Sequence, residues 1–446
     1  MPSFNLAQLK NKHFLSLVGN IVMSMFGLLL FGMLYKAFSK DDMGTWIYFM
    51  ATQGLLDSIR NGFLGTATIK FYAGAEKGRA ADVLGSVWYL AIAVTGLMCV
   101  LNVGALACLS FISDFPTIVT IKWVGLTMLS SLPYSVIFWK LQADERYDTI
   151  LWMRFINSGS TIISFFVLIY LHQFTLNNAL LWNLVTNALT SVVGMAANLG
   201  GFHHIRMRTK NTVMEVLHFG KYSLASSLSS SLLGAVNTYM INFMLGPAAV
   251  AVYGVANKLM ELVEIPLRSF VGTGISGMAA AFNQNNMHQV KYIMNKYAGM
   301  LTWVFIPLAI GTFFLADIPV NILSSGKYAG TEAANIFRIL MVIAILYPID
   351  RFNGVALDVI HQPKVNFYKV QVMLFVKIVG NYVFISLMHN VYGVPASGAL
   401  TVLAGLVFGY AQLRKFMEFS IRDIIASGWY ELKALMLKML GRQSAA

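Results

Sequence analysis

Residues 257–273 read NKLMELVEIPLRSFVGT, an apolar stretch that still carries Lys258, Glu261, Glu264 and Arg268. These four lie three, three and four residues apart, so on a helix they share an arc of roughly 120°. The surrounding sequence decides what such a helix is for. Of the 446 residues 57% are hydrophobic and only 11% are charged, too little polar surface to cover a soluble domain of this length. Apolar blocks of about 20 residues recur, without the strand-like alternation of an outer-membrane barrel. The fold expected is therefore an all-α integral membrane protein.

Twelve spans are expected, near 14–34, 44–69, 83–110, 118–140, 150–171, 177–200, 219–244, 248–274, 298–316, 335–359, 366–389 and 395–413. Short polar connections such as SKDDMG and HQPKVN join them. One alternating set of connections holds Lys10, Lys12, Lys70, Lys77, Arg79, Lys140, Arg146, Arg154, Arg206, Arg208, Lys210, Lys221, Lys291, Lys296, Lys364, Lys369 and the basic residues from Arg414 onward. The other set holds only Lys36, Lys40 and Lys327. That bias places both termini in the cytoplasm. It also accounts for the net charge of +13 without a nucleic-acid partner. The first apolar stretch is too long for a signal peptide and reads as a retained helix. Residues 420–441 repeat apolar side chains at helical spacing among Arg422, Lys433 and Lys438, an amphipathic helix expected on the inner leaflet.

An internal repeat divides the chain. DSIRNGFLGT at 57–66 aligns without a gap to EIPLRSFVGT at 264–273, acid matching acid and Phe-x-Gly-Thr matching Phe-x-Gly-Thr. The bases fall one position out of step, Arg60 against Arg268. His13-Phe14 and His218-Phe219 open the two halves, and Lys122 before Pro133 matches Arg338 before Pro348. Parallel, pseudo-symmetric six-helix lobes follow: 1–205, 206–416, and a tail at 417–446.

Apart from the connection residues named above, the bases inside the spans are Arg60, Lys122, Lys258, Arg268, Arg338, Arg351 and Lys377. The embedded acids are Asp57, Glu261, Glu264 and Asp350, with Asp358 near an inner end. Each ionised group costs about 2.5–3.5 kcal/mol at the bilayer centre, so these residues face one another or a wet cavity. Helix-spaced pairs such as Asp57 with Arg60 and Glu264 with Arg268 are also the spacing of plain structural ion pairs. The surplus of bases points to an anionic substrate held by Arg60, Lys258, Arg268, Arg351 and Lys377. Asp57, Glu261, Glu264 and Asp350 are candidates to carry a coupling proton or sodium ion, and Lys122 and Arg338 sit toward an outer mouth. Pro133, Pro266, Pro307 and Pro348 lie within spans as kinks or hinges. The serine-rich KYSLASSLSSSLLGA at 221–235 allows close helix packing, with lining of the cavity by hydroxyls as a second reading. Cys99 and Cys108 suggest no disulfide framework, and no phosphate-binding loop or H-E-x-x-H motif is present. No catalytic residues, metal or cofactor are expected beyond an ion gradient.

With GKYSLASSLSSSLLGAVNTYMINFMLGPAAVAVYGVANKLMEL at 220–262, LQADERY at 141–147, SSGKYAGTEAANIFRIL at 324–340 and HQPK at 361–364, the chain resembles the oligosaccharide-lipid flippases of the MOP superfamily. The resemblance implies two lobes around a central cavity and a polyprenyl-diphosphate-linked oligosaccharide moved from the inner to the outer leaflet of the bacterial cytoplasmic membrane. It further implies alternating access, with membrane lipids and glycan polymerase or assembly proteins as neighbours. Twelve spans speak against the lipid II branch of that superfamily, which usually has fourteen. The competing readings are a MATE-type multidrug or cation antiporter, disfavoured by the surplus of bases, and a membrane-embedded glycan polymerase or ligase. The short outer loops speak against the latter.

Overall fold

The computed structural model describes residues 12–439, so Lys10 and residues 440–446, counted in the charge bias and the tail, lie outside it. The described chain is helical throughout, with short connections and no strand. In order come α1 (Lys12–Ala37), α2 (Lys40–Arg60), α3 (Thr66–Tyr72), α4 (Lys77–Ala107), α5 (Phe115–Ala143), α6 (Tyr147–Tyr170), α7 (Leu176–Ala196) and α8 (Lys210–Leu245). Then follow α9 (Pro247–Asn283), α10 (Met287–Leu315), α11 (Asp317–Ser324), α12 (Ala333–Ala344), α13 (Tyr347–Val359), α14 (Pro363–Met388), α15 (Gly393–Leu413) and α16 (Ile421–Met439).

Every one of the twelve expected spans coincides with helix. Seven helices are long and apolar enough to cross a membrane among the described residues, or eight if α12 and α13 are counted together. Composition explains why others fall short. Lys40, Asp41 and Asp42 open α2, and α9 carries the four charges of the opening stretch. A π-helical turn at Asn61–Gly65 interrupts the helix between α2 and α3. The tenth span bends by 48° between α12 and α13. Pro348 sits in the first turn of α13, where its missing N–H is no loss, rather than inside an unbroken helix. Pro133, Pro266 and Pro307 do lie inside α5, α9 and α10. Local signals set several starts: Ser39 accepts the backbone N–H of Asp42 at 3.0 Å, and Asp114 accepts that of Thr117 at 3.0 Å.

The chain forms two compact units, residues 1–238 and 239–446, so the division falls within α8 rather than ahead of it at 205/206. In the first unit Leu64, Ala67, Val87, Trp88, Val136 and Trp139 build a core between α3, α4 and α5. Lipid is as apolar as leucine, so helix association rests on close packing and interhelical hydrogen bonds. Trp88 Nε1 accordingly donates to Gly200 O at 2.8 Å. Between α6 and α7 a polar stripe does the same. Asn157 Nδ2 donates to Asn187 Oδ1 (3.3 Å) and Thr190 Oγ1 (3.2 Å), and Thr161 Oγ1 to Thr186 Oγ1 (3.0 Å). Each such bond contributes about 0.6 kcal/mol.

In the second unit α14 packs on α15, α9 on α10, and α16 along α10. The amphipathic helix expected at residues 420–441 is α16 over its described residues, and one of its faces packs on α10. Gly299 and Gly428 make the crossing, and a Cβ on Gly299 would stand 2.0 Å from Ile424 O. Trp303 Nε1 donates to Ile425 O at 3.0 Å and its ring meets Trp429 at 4.8 Å. Lys296 pairs with Glu431 at 2.6 Å.

Candidate functional site

The charged positions resolve into pairs, each built by local helix geometry. In the first unit Arg60 ends α2 and is 1% exposed. It pairs with Asp57 one turn back, and donates to Met128 O at 3.0 Å and Ser131 Oγ at 2.9 Å. These contacts fasten α2 to α5, while the Asp57 side chain remains 38% exposed. The guanidinium therefore acts on neighbours through Asp57 rather than from an open surface.

The π-helical turn begins immediately after Arg60. Asn61 Oδ1 accepts a hydrogen bond from Trp139 Nε1. A Cβ on Gly62 would lie 2.5 Å from Ser227 Cβ, and one on Gly220 would lie 2.5 Å from Phe63 O. Gly220 and Ser227 of α8 thus sit directly on the turn. π-turns of this kind occur disproportionately at functional sites.

In the second unit, the charged face of α9 holds Lys258 Nζ 2.7 Å from Glu261 and Arg268 Nη2 3.0 Å from Glu264. The side chain of Arg268 is 67% exposed and that of Glu261 49%.

Asp350 pairs across helices with Lys369 of α14 at 2.6 Å, not with its neighbour Arg351, which is exposed on α13. Here the charge tally needs correction. Lys369 was assigned to a cytoplasmic loop, whereas the helix starts at Pro363 and carries the ammonium into a buried position. The signal was the proline of HQPK, which suits the first turn of a helix and puts Lys369 nearly two turns inside.

Lys377 is half-buried on α14, and its carbonyl accepts from Ser397 Oγ of α15 at 3.2 Å. Lys122 is exposed on α5. Arg338 of α12 is a clamp. It pairs with Asp317 and donates to Phe313 O at 2.8 Å and Asn335 Oδ1 at 2.6 Å, tying α12 to the junction of α10 and α11.

Carboxylates thus lie beside Arg60, Lys258, Arg268, Arg338 and Lys369. The α9 face presents a base at each end, Lys258 and Arg268, with the acids Glu261 and Glu264 between them, joined in two ion pairs.

Solved structures share this fold over nearly the whole chain. The lipid II flippase MurJ, in an inward closed conformation, matches with a TM-score of 0.73 at 14% identity, covering 96% of this chain and 93% of that one. A multidrug resistance MATE family transporter of the MOP superfamily, inward-facing, matches at 0.68 and 15% identity, covering 96% and 100%. A MOP superfamily transporter from Pyrococcus furiosus, described for the reverse polarity of its binding pocket, matches at 0.59 and 14% identity, covering 91% and 95%. No curated protein sequence matches. The sequence model of one family, described as polysaccharide biosynthesis protein, matches residues 38–332, more than half of the chain. This polytopic helical protein, with the fold of the MOP transporters, belongs to the polysaccharide biosynthesis protein family.

Proposed function

We propose that the protein is a flippase that moves polyprenyl-diphosphate-linked oligosaccharide units from the inner to the outer leaflet of the bacterial cytoplasmic membrane. The observation that carries this reading is the family match over residues 38–332, joined to a fold shared with a lipid II flippase. The α9 face supplies fitting chemistry. Lys258 and Arg268 offer charge to a diphosphate and release Glu261 and Glu264 as they engage it. Arg60 acts as a positioning residue for Asp57. The internal repeat suits alternating access of two halves, and an ion gradient of protons or sodium drives it through one of Asp57, Glu261, Glu264 and Asp350. The polyprenyl tail stays among membrane lipids, and glycan polymerase and assembly proteins act on the delivered product.

The decisive experiment deletes the gene and quantifies lipid-linked oligosaccharide in the membrane alongside surface glycan. Accumulated lipid-linked units with depleted surface glycan, restored by the wild-type chain but not by Lys258→Ala/Arg268→Ala, support the assignment. The multidrug antiporter reading is favoured by the fold match to a MATE transporter. Unchanged lipid-linked glycan together with new sensitivity to cationic compounds would establish it instead.

A further inference from the structure

Pro133 lies inside α5, where it lacks the N–H that would answer the carbonyl four residues back and crowds that carbonyl with its ring. The helix is weakened there over one turn. Its next rung would join the Tyr134 N–H to Ser130 O, and both of those groups are engaged by a neighbouring helix. Ser191 Oγ of α7 accepts the Tyr134 N–H at 3.2 Å and donates to Ser130 O at 2.6 Å. One hydroxyl, on a residue only 4% exposed, thus spans a rung of the α5 ladder. Tight packing holds it there. A Cβ on Gly194, three residues on from Ser191, would stand 2.6 Å from Ile137 Cδ1 of α5.

A second helix grips α5 just ahead of the proline. Arg60 at the end of α2 donates to Met128 O at 3.0 Å and to Ser131 Oγ at 2.9 Å. The weakened turn is therefore fastened from α2 before Pro133 and from α7 across it.

The internal repeat supplies the comparison. Lys122 before Pro133 matches Arg338 before Pro348, so α5 corresponds to the α12–α13 pair. α5 runs as one helix from Phe115 to Ala143, whereas its counterpart breaks ahead of Pro348 and bends by 48°. At that break the backbone closes shorter turns, with the Leu346 N–H on Ile343 O at 3.0 Å.

We infer that Pro133 is a hinge in α5 and that Ser191 is its latch. A side chain entering the ladder beside a proline marks a point where a helix bends. With the bridge made, both backbone groups are satisfied and the angle between the two segments of α5 is fixed. With the bridge open, the segment before Pro133 swings against the one after it, toward the bent form that the repeat-related span already holds. Arg60 follows that swing, because its acceptors Met128 O and Ser131 Oγ belong to the moving segment.

The test reads the isolated full chain in detergent, so it stands apart from the flippase assignment. Ser191→Ala should raise hydrogen exchange of residues 130–137 at least about tenfold, since two buried backbone groups lose their partner. Alanine is the better helix former, so weakened α7 propensity does not account for such a rise. Pro133→Ala returns the missing N–H to the ladder, and in that background Ser191→Ala should change exchange by no more than about twofold. Spin labels at Lys122→Cys and Asp144→Cys, with Cys99 and Cys108 replaced by serine, read the bend itself. Ser191→Ala should add a population about 3 Å shorter than the wild-type distance, as a bend like that of α12–α13 requires. Ser191→Cys, which keeps the volume and weakens both bonds, serves in the exchange measurement if the alanine variant does not fold. Unchanged exchange and an unchanged distance in the Ser191 variants would overturn the latch. An equal rise in exchange with and without Pro133 would also overturn it, because Ser191 would then be a packing contact rather than part of a proline hinge.

Discussion

Arg60 and Arg268 lie one position out of step in the matching segments of the internal repeat and live in opposite surroundings: the side chain of Arg60 is 1% exposed and that of Arg268 67%. Each holds an acid on its own helix. Only Arg60 adds bonds to a second helix, through Met128 O and Ser131 Oγ. The same motif has been used once as a rivet and once as a presented charge.

Arg60→Ala should therefore destabilise the protein strongly, by about 3 kcal/mol or more, because it strands Asp57 and two acceptors on α5. Arg268→Ala should cost at most about 1 kcal/mol, as for an exposed pair. Thermal melts of the two variants check the contrast, and equal losses would mean that the exposure difference carries no energy.

Close approach at Gly62 gives a second expectation. Gly62→Ala brings a Cβ to 2.5 Å from Ser227 Cβ, an overpacking that typically costs about 1–3 kcal/mol. Combining it with Ser227→Gly should recover most of the loss in Tm, whereas additive losses would place the clash elsewhere.

The docking of α16 is open to similar trial. Gly428 meets the backbone of Gly299, with 2.1 Å between its would-be Cβ and Gly299 C. Gly428→Leu should release residues 421–439 to fast hydrogen exchange and change the emission of Trp303 and Trp429. Unaltered exchange would show that the crossing tolerates a side chain.

The ion pair on the same helix carries a pH signature. Burial pushes the Glu431 carboxyl up, but hydrogen bonds from Lys296 and Tyr292 outweigh it and leave the group below its ordinary 4.5. A depressed carboxylate contributes stability that is fully present above the unfolded value and lost as pH falls through the folded one. Exchange protection of α16 should thus be intact above pH 4.5 and be lost as the pH falls below that ordinary value, with Glu431→Gln flattening the profile. A wild-type profile already flat across that window would remove Glu431 as the docking contact.

The helical architecture was legible because each span is a long apolar run between polar connections, a signal that survives errors of several residues at the ends. The repeat was legible in the Phe-x-Gly-Thr pairs. Pairwise chemistry was only half legible. Asp57 with Arg60 and Glu264 with Arg268 follow from spacing on one helix, whereas Asp350 with Lys369 joins two helices and no periodicity announces it. The α6–α7 stripe was visible as Asn183, Thr186, Asn187 and Thr190 at three- and four-residue spacing, but such small polar residues are lost in a charge-based search. Docking of α16 depends on Gly299 and Gly428, and a glycine in sequence does not say which backbone it admits.

The π-helical turn at 61–65 has a geometric consequence for the whole span. Its wider turn holds one residue more than the α-helix would fit, so α2 and α3 are keyed to their neighbours like two gears offset by a tooth. Removing one residue from that turn would restore α pitch and swing Asp57 and Arg60 by about 100° relative to Leu64 and Ala67. The core seam of α3 and the rivet on α5 could then not both be met. The extra residue sets the phase at which the charged end of α2 faces its partner helix.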